Sequence, residues 1–138
     1  HYYLYKKKNP FKHLIYPLPN SNGHGIHAGM DIENNLRFGP NAKWVESIEY
    51  SFDENTLDDF CNSIKSYWVN FDSSCLTPDY TGIRSKIVVE GEGSQDFEIL
   101  DASDHGLENL IHLQGIDSPG LTSSLSIAAE VISKLGIH

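Results

Sequence analysis

The sequence predicts an α+β fold, with a mostly antiparallel sheet and two main helices. Strand-like runs and turn residues fill much of the chain, and only two segments have the apolar periodicity of a helix. The chain has 138 residues, 39% of them hydrophobic and 21% charged, which is sufficient for one modest core. This composition is typical of a globular domain.

Alternating apolar and polar residues identify the first strands. Residues 1–5 are strand-like, and residues 25–32 place Ile26, Ala28, Met30 and Ile32 on one face. Residues 33–35 then turn the chain into 36–40, the predicted hairpin partner. The opposite face of 25–32 is nearly bare, which is typical of a surface that a ligand or another backbone approaches closely. That face consists of Gly25, His27, Gly29 and Asp31.

The clearest helix is predicted over residues 56–69. Its apolar side chains recur three and four residues apart and therefore share one face. Thr56 is the predicted N-cap, and Asp58 and Asp59 suit the positive end of the helix dipole. We expect a packing element, with Cys61 as a buried small hydrophobe. The apolar face comprises Leu57, Phe60, Cys61, Ile64, Tyr67 and Trp68.

The second half of the chain predicts three strands and a final helix. The strands cover residues 80–90, 96–103 and 109–116, and the helix runs from about residue 119 to 135. Apolar residues lie on two sides of this helix, so it needs more cover than one small domain supplies. We therefore expect exposed apolar surface and self-association of the chain. One side holds Leu121, Leu125, Ala128, Ile132 and Leu135, and the other holds Ile127 and Val131.

Charge and composition exclude several classes of function. A net charge of −9 argues against a nucleic-acid surface, since phosphate binding requires clustered Lys and Arg. No stretch approaches the ~20 apolar residues of a transmembrane helix, and no signal peptide is recognised. Two cysteines without CxxC spacing favour an intracellular setting, cytoplasmic or peripheral to an inner membrane. Because the chain opens inside a strand, we expect it to be a piece of a longer protein.

Three polar side chains are candidates for a site, each with a plain structural alternative. His24 and His27 point to opposite faces of a strand and have no further ligands, so we predict no metal site. His27 is either an ordinary hydrogen-bonded histidine or a polar group presented to a substrate. Arg84 follows Ile83 in a predicted strand. It either holds a carboxylate in two parallel hydrogen bonds or forms a surface salt bridge. Spacing alone leaves both alternatives open.

Residues 115–128 place two glycines and a proline before the final helix. The N-terminus of a helix offers backbone N–H groups to anionic or electron-rich ligands. Pro119 suits the first helical position, and Ser118 is the natural N-cap. Gly120 either permits a ligand to approach the backbone or simply closes a tight turn.

Four segments together resemble the C-terminal part of FAD-dependent oxidoreductases of the D-amino-acid oxidase superfamily. The resemblance spans almost the whole chain and is nearest to the branch that contains L-2-hydroxyglutarate dehydrogenase. The segments are LIYPLP (14–19), GIHAGMDIENNLRFGPNAKWV (25–45), DYTGIRSKI (79–87) and GIDSPGLTSSLSIAAEVI (115–132).

The resemblance implies a two-part protein in which FAD is the cofactor. Its N-terminal Rossmann-like region, with the G-x-G-x-x-G fingerprint for the FAD pyrophosphate, is missing from this sequence. Residues 1–105 would be the sheet-rich substrate domain, and residues 106–138 the last strand and C-terminal helix of the FAD-binding domain. The implied partners are that missing region and a small carboxylate substrate.

The resemblance also implies roles for single residues. Arg84 falls on the arginine that binds the substrate carboxylate, although Ser85 stands where the family usually has proline. His27 falls near the meeting point of substrate and flavin, as the catalytic residue. The turn that approaches the isoalloxazine ring falls on Gly115, Ser118, Pro119, Gly120, Leu121 and Thr122.

The implied reaction is oxidation of a 2-hydroxy acid, similar to L-2-hydroxyglutarate, with hydride transfer to flavin. An amino-acid or amine oxidase of the same superfamily is the alternative enzyme. A non-catalytic binding or assembly module is the alternative outside enzymes. In each enzymatic case, we expect the isolated piece to be inactive and not to bind FAD.

Overall fold

Two compact units make up the chain, His1–Ile83 and Arg84–His138. The expected family boundary between residues 105 and 106 is a different division, and it stays a prediction. The computed structural model describes residues 1–18, 25–88, 90–93 and 95–137.

An antiparallel sheet forms the first unit, as the sequence predicts. In the described part of this unit the sheet has four strands in the order β2-β3-β1-β4. The predicted strand 1–5 and the hairpin of 25–32 with 36–40 are confirmed, with shorter bounds. The strands are β1 (Tyr2–Tyr5), β2 (His27–Met30), β3 (Leu36–Gly39) and β4 (Leu76–Tyr80).

The hydrophobic core of this unit lies between one face of the sheet and helix α1 (Leu57–Lys65). Strand alternation turns Tyr3 and Phe38 inward, and the Tyr3 ring centroid lies 4.6 Å from that of Phe60 on α1. Full burial of such side chains stabilises the fold by about 1.5–3 kcal/mol each. Cys61 is buried among them, as expected for a small hydrophobe. The core-facing sides of the sheet and of α1 are therefore occupied within the unit.

Helix α1 is shorter than the predicted 56–69, and Thr56 does not cap it. Thr56 already has helical backbone angles, and its hydroxyl donates to the Asp53 carbonyl at 2.7 Å. Asp53 instead caps a single 3-10 turn that precedes the helix. After α1 ends, the Tyr67 hydroxyl donates to the Ile26 carbonyl at 3.0 Å, and burial raises the pKa of Tyr67. The apolar periodicity thus extended past the helix because these later side chains still pack against the core.

The turn between β2 and β3 is built on Asp31. Its carboxylate accepts hydrogen bonds from the backbone N–H groups of Glu33 at 2.9 Å and Asn35 at 2.8 Å. Ile32, expected on the apolar face of the strand, is fully exposed instead. The reason is that β2 ends at Met30, so the alternation stops before Ile32 is reached.

Strand β4 was not predicted, because its sequence contains a proline. Pro78 cannot donate to a ladder and is tolerated because β4 lies at the edge of the described sheet. Tyr3 pairs with Pro78 and Tyr2 with Tyr80, so Asp79 is an extra residue in a β-bulge. The bulge changes the direction of side chains at this end of β4.

The second unit pairs two short strands and carries two helices in its described residues. Strands expected over 96–103 and 109–116 are confirmed with shorter bounds. The strand expected over 80–90 is wrong, since residues 81–88 are irregular and mostly exposed, with Gly82 near their start. No apolar face is buried there to hold a strand. The elements are β5 (Glu98–Leu100), α2 (Ala102–His105), β6 (His112–Gln114) and α3 (Ser124–Lys134).

The strand that was expected to run to residue 103 stops at Leu100, because helix α2 begins at Ala102. Asp101 accepts from the Ser103 N–H at 2.9 Å, and Asp104 accepts from the Asp101 N–H at 2.8 Å, which forms a capping box. Lys134 donates to Asp101 at 2.7 Å and connects the end of α3 to this cap. The Lys134 hydrogen bond is the largest cause that holds the pKa of Asp101 well below its usual range.

Helix α3 begins five residues later than predicted, at Ser124 instead of Pro119. Neither Ser118 as N-cap nor Pro119 as first helical residue is correct, because residues 118–123 form turns. Asp117 accepts a bond from the Gly120 N–H, and this closes a tight turn ahead of the helix. None of the described side chains of α3 is buried, and Ile127 and Val131 are only half-buried. In the described residues, no helix is long and apolar enough to cross a membrane.

Candidate active site

The outer face of the first sheet, opposite the core, carries the predicted bare surface. In the register, His27 lies opposite Gly39, and Gly29 opposite Arg37. The His27 ring is half-buried, with its centroid 4.2 Å from the Tyr16 ring centroid. A Cβ at Gly29 would meet only the Arg37 carbonyl oxygen, at 4.0 Å. Gly29 therefore has the open backbone that the sequence predicted. Gly25 does not, because a Cβ there would be 2.8 Å from the Pro17 Cγ atom.

An ion-pair network on Arg37 spans the same face. The Arg37 guanidinium donates from Nη1 to Asp31 and from Nε to Asp79, each at 2.5 Å. Hydrogen bonds from Asn35 are the largest cause that lowers the pKa of Asp31 to about 2, and the bond from Arg37 adds to them. The positive charge of Arg37 is thus compensated by two carboxylates.

Sequence reasoning missed Arg37 as part of this face. The available signal was its position in the hairpin partner of the bare strand, opposite Gly29. Its second carboxylate, Asp79, lies 42 residues further along the chain on an unpredicted strand, so spacing gave no indication of it.

Arg84 lies in the second unit, on an irregular segment and exposed to solvent. Its predicted orientation depended on strand alternation with Ile83, which does not exist here. Asp117 connects Arg84 electrostatically to the glycine-proline turn. A hydrogen bond from Lys86 is the largest cause of the lowered pKa of Asp117, and the positive charge of Arg84 contributes. The role of Arg84 as carboxylate anchor stays a prediction.

Gly115 allows two segments of the second unit to lie close together. Its φ is +65°, and a Cβ at this position would be 2.9 Å from the Ile87 Cδ1 atom. The strand β6 ends next to this glycine, so the turn is positioned against the segment that carries Arg84. A side chain at position 115 would be strained by this φ and would displace the end of the Ile87 side chain.

Gly120 serves the turn itself. The residue is buried, and an added Cβ would lie 2.6 Å from the Asp117 carbonyl oxygen and 2.7 Å from the Ile116 Cγ2 atom. The expectation that Gly120 leaves room for a flavin ring is therefore not needed to explain this glycine. The alternative, a tight turn that only glycine can close, accounts for it.

Backbone donors suited to a ligand lie just after Gly120. Leu121 and Thr122 are exposed, and no hydrogen bond within the described residues uses their N–H groups. These donors precede α3, whose dipole favours electron-rich atoms at this end. Donors of this kind are chemically suited to the carbonyl oxygens of a flavin. The G-x-G-x-x-G fingerprint that binds the FAD pyrophosphate does not occur in this sequence.

The predicted site residues fall in both units. His27 lies in the first, and Arg84 and the 115–122 turn lie together in the second. His24, weighed as a metal ligand with His27, falls outside the described residues. Among the side chains that the structure describes, no cluster of three potential metal ligands occurs.

Comparison with known proteins gives the class of this chain. The model of the FAD dependent oxidoreductase family matches residues 1–134, so the chain belongs to that family. Membership implies FAD as the cofactor of the intact protein.

Three individual oxidoreductases are similar to this chain in sequence. The chain is 34% identical to the mitochondrial L-2-hydroxyglutarate dehydrogenase of Arabidopsis thaliana, over 93% of this chain and 29% of the relative. It is 31% identical to the glycerol 3-phosphate oxidase of Mycoplasma genitalium, over 99% of this chain and 35% of the relative. A glycerol 3-phosphate dehydrogenase of Caloramator mitchellensis is 28% identical, over 97% of this chain and 27% of the relative. The chain therefore spans about a third of the length of these relatives.

Proposed function

We propose that this chain is the C-terminal part of an FAD-dependent enzyme that oxidises a 2-hydroxy acid. Similarity to a dehydrogenase named for L-2-hydroxyglutarate over 93% of the chain supports this substrate class. The proposed division places the substrate domain in residues 1–105 and the last part of the FAD-binding domain in residues 106–138.

One observation carries the assignment of the carboxylate anchor. The sequence contains two arginines, and Arg37 is held by two aspartates. Arg84 is exposed and makes no ion pair with any described residue. Its planar guanidinium can therefore accept a substrate carboxylate in two parallel hydrogen bonds without breaking an existing pair.

The family resemblance supports two residue roles in this proposal: Arg84 would hold the substrate carboxylate, and His27 would be the catalytic residue. Oxidation of a secondary alcohol removes a hydride from carbon and a proton from the hydroxyl. Bound FAD supplies the hydride acceptor. A ring nitrogen of His27 would accept the hydroxyl proton as general base. The N–H groups of Leu121 and Thr122 would help to hold FAD.

The apolar surface of α3 is proposed to pack against the missing FAD-binding region. Leu125 is 86% exposed, and Leu121, in the turn before the helix, is 91% exposed. Without that region, the same surface would drive self-association.

Substrate oxidation by the intact protein tests this proposal. Purified FAD-loaded enzyme would be assayed with a dye acceptor against 2-hydroxy acids, the corresponding amino acids and glycerol 3-phosphate. Glycerol 3-phosphate is included because two relatives carry its name. Turnover of 2-hydroxy acids alone supports the proposal, turnover of amino acids supports the oxidase alternative, and no turnover supports a non-catalytic module.

A further inference from the structure

A row of aromatic side chains crosses the outer face of the first sheet at the end that carries His27. Pairing places His27 on β2 opposite Gly39 on β3, and Tyr2 on β1 opposite Tyr80 on β4. Because β1 lies next to β3, the row is continuous over the described strands. We define the aromatic row as His27, Tyr2 and Tyr80.

Gly39 determines where the Tyr2 ring lies. A Cβ at position 39 would be 2.7 Å from the Tyr2 Cδ1 atom, so the ring occupies the space above this glycine. The backbone there has φ +143°, a conformation that L side chains rarely adopt. The Tyr2 ring thus lies over β3, the strand that pairs directly with the His27 strand.

Tyr80 supports the Tyr2 ring from the other side. The two rings are stacked, with centroids 4.6 Å apart and planes inclined by 16°. The bulge at Asp79 allows Asp79 to reach Arg37 while Tyr80 reaches Tyr2. Tyr80 is 47% exposed, so the row presents an aromatic surface on the sheet face that α1 does not cover.

We propose that Tyr2, held above Gly39 and stacked on Tyr80, determines which substrate side chains fit beside His27. This inference rests on the proposed function, in which His27 meets the substrate hydroxyl. The ring is a rigid apolar wall of fixed position, and the carbon chain of a hydroxy acid packs against it. A bulky substituent on the substrate would collide with the ring.

Selectivity between a small and a bulky 2-hydroxy acid tests this inference. The ratio of kcat/KM for lactate to that for 3-phenyllactate would be measured in the intact, FAD-loaded protein. This ratio is independent of the fraction of active enzyme. Tyr2→Ala should shift it toward the bulky acid by about tenfold or more, within the range typical of hydrophobic pockets. Tyr2→Phe keeps the ring and should keep the ratio.

Two further variants separate specificity from folding. Tyr80→Ala removes the stacking partner from an exposed position and should shift the ratio in the same direction, even if Tyr2→Ala does not fold. Tyr50→Ala is the control, because it removes a tyrosine ring that is 62% exposed and lies outside the aromatic row. It should leave the ratio unchanged.

An unchanged ratio in both Tyr2→Ala and Tyr80→Ala would overturn the inference. Lower FAD content and thermal stability with an unchanged ratio would assign the row to packing alone. If the wild-type enzyme oxidises only amino acids, the proposed function fails separately. The same variants are then compared on alanine and phenylalanine, where an unchanged ratio again overturns the role of Tyr2.

Discussion

Arg37 on β3 donates to Asp79 on β4, although β1 lies between the two strands. The guanidinium therefore reaches across Leu4, its register partner on β1. A second bond to Asp31, after β2, extends the network over the outer face. These two ion pairs make Arg37 a structural residue. Arg84 differs, because it forms no ion pair with a described residue.

Replacing Arg37 should lower stability without changing substrate affinity. Arg37→Leu leaves Asp31 and Asp79 without their shared cation, so we expect a lower thermal midpoint of the intact protein. The KM for the hydroxy acid should change little, because Asp31 and Asp79 already occupy the Arg37 guanidinium. A large rise in KM at unchanged stability would instead assign Arg37 to the substrate.

Acid should remove the contribution of Asp31. The pKa of Asp31 is lowered to about 2, below its ordinary value of 3.8. Its stabilising effect is therefore complete above the unfolded pKa and disappears as pH falls through the folded pKa. Wild-type protein and Asp31→Asn should differ in denaturant midpoint at pH 5, and this difference should shrink between about pH 4 and pH 2. A difference independent of pH would show that the carboxylate charge is not involved.

Gly120→Ala should destabilise the second unit. The added Cβ would meet the Asp117 carbonyl oxygen at 2.6 Å, a backbone atom that cannot move freely. We expect a loss of about 1–3 kcal/mol in the free energy of unfolding, as for other overpacked sites. Gly93→Ala is the matched control, because a Cβ there would meet no atom of the described residues within 4 Å. Equal stability of the two variants would contradict the tight-turn explanation.

Local patterns predicted the elements of this fold that local contacts determine. The hairpin of β2 and β3 and the buried face of α1 follow from alternation and periodicity within short windows. Strand β4 could not be predicted, because Pro78 argues against a strand unless the chain is known to lie at a sheet edge. The final helix was placed too early because proline suits a helix start, whereas the turn at Asp117 and Gly120 intervenes.

The candidate site residues also divide into those that local patterns predicted and those that depend on distant segments. The bare strand face around His27 was derived from alternation. The structure agrees at Gly29 but not at Gly25, where Pro17 packs against the backbone. Arg84 came from the family resemblance, since its segment has no regular structure from which a direction could be predicted. Arg37 and the stacked Tyr2 and Tyr80 depend on pairing between distant segments, which a single sequence does not contain.

The isolated chain should not bind FAD tightly. The N–H groups of its turn are proposed to bind the flavin, but the sequence lacks the glycine fingerprint for the pyrophosphate. Titration of FAD into the chain, followed by flavin fluorescence and calorimetry, should give no sub-micromolar binding. Sub-micromolar affinity would mean that the pyrophosphate is held by residues other than the expected fingerprint.

Steady-state kinetics of Arg84→Ala in the intact, FAD-loaded protein tests most directly the proposal that Arg84 holds the carboxylate of a 2-hydroxy acid. Loss of a charge-assisted pair costs about 1.5–3 kcal/mol, so KM should rise roughly tenfold to hundredfold while FAD stays bound. Arg84→Lys should restore only part of the affinity, because the lysine ammonium group cannot form the two parallel hydrogen bonds of a guanidinium. An unchanged KM in Arg84→Ala would contradict the account and leave Arg84 as an ordinary surface residue.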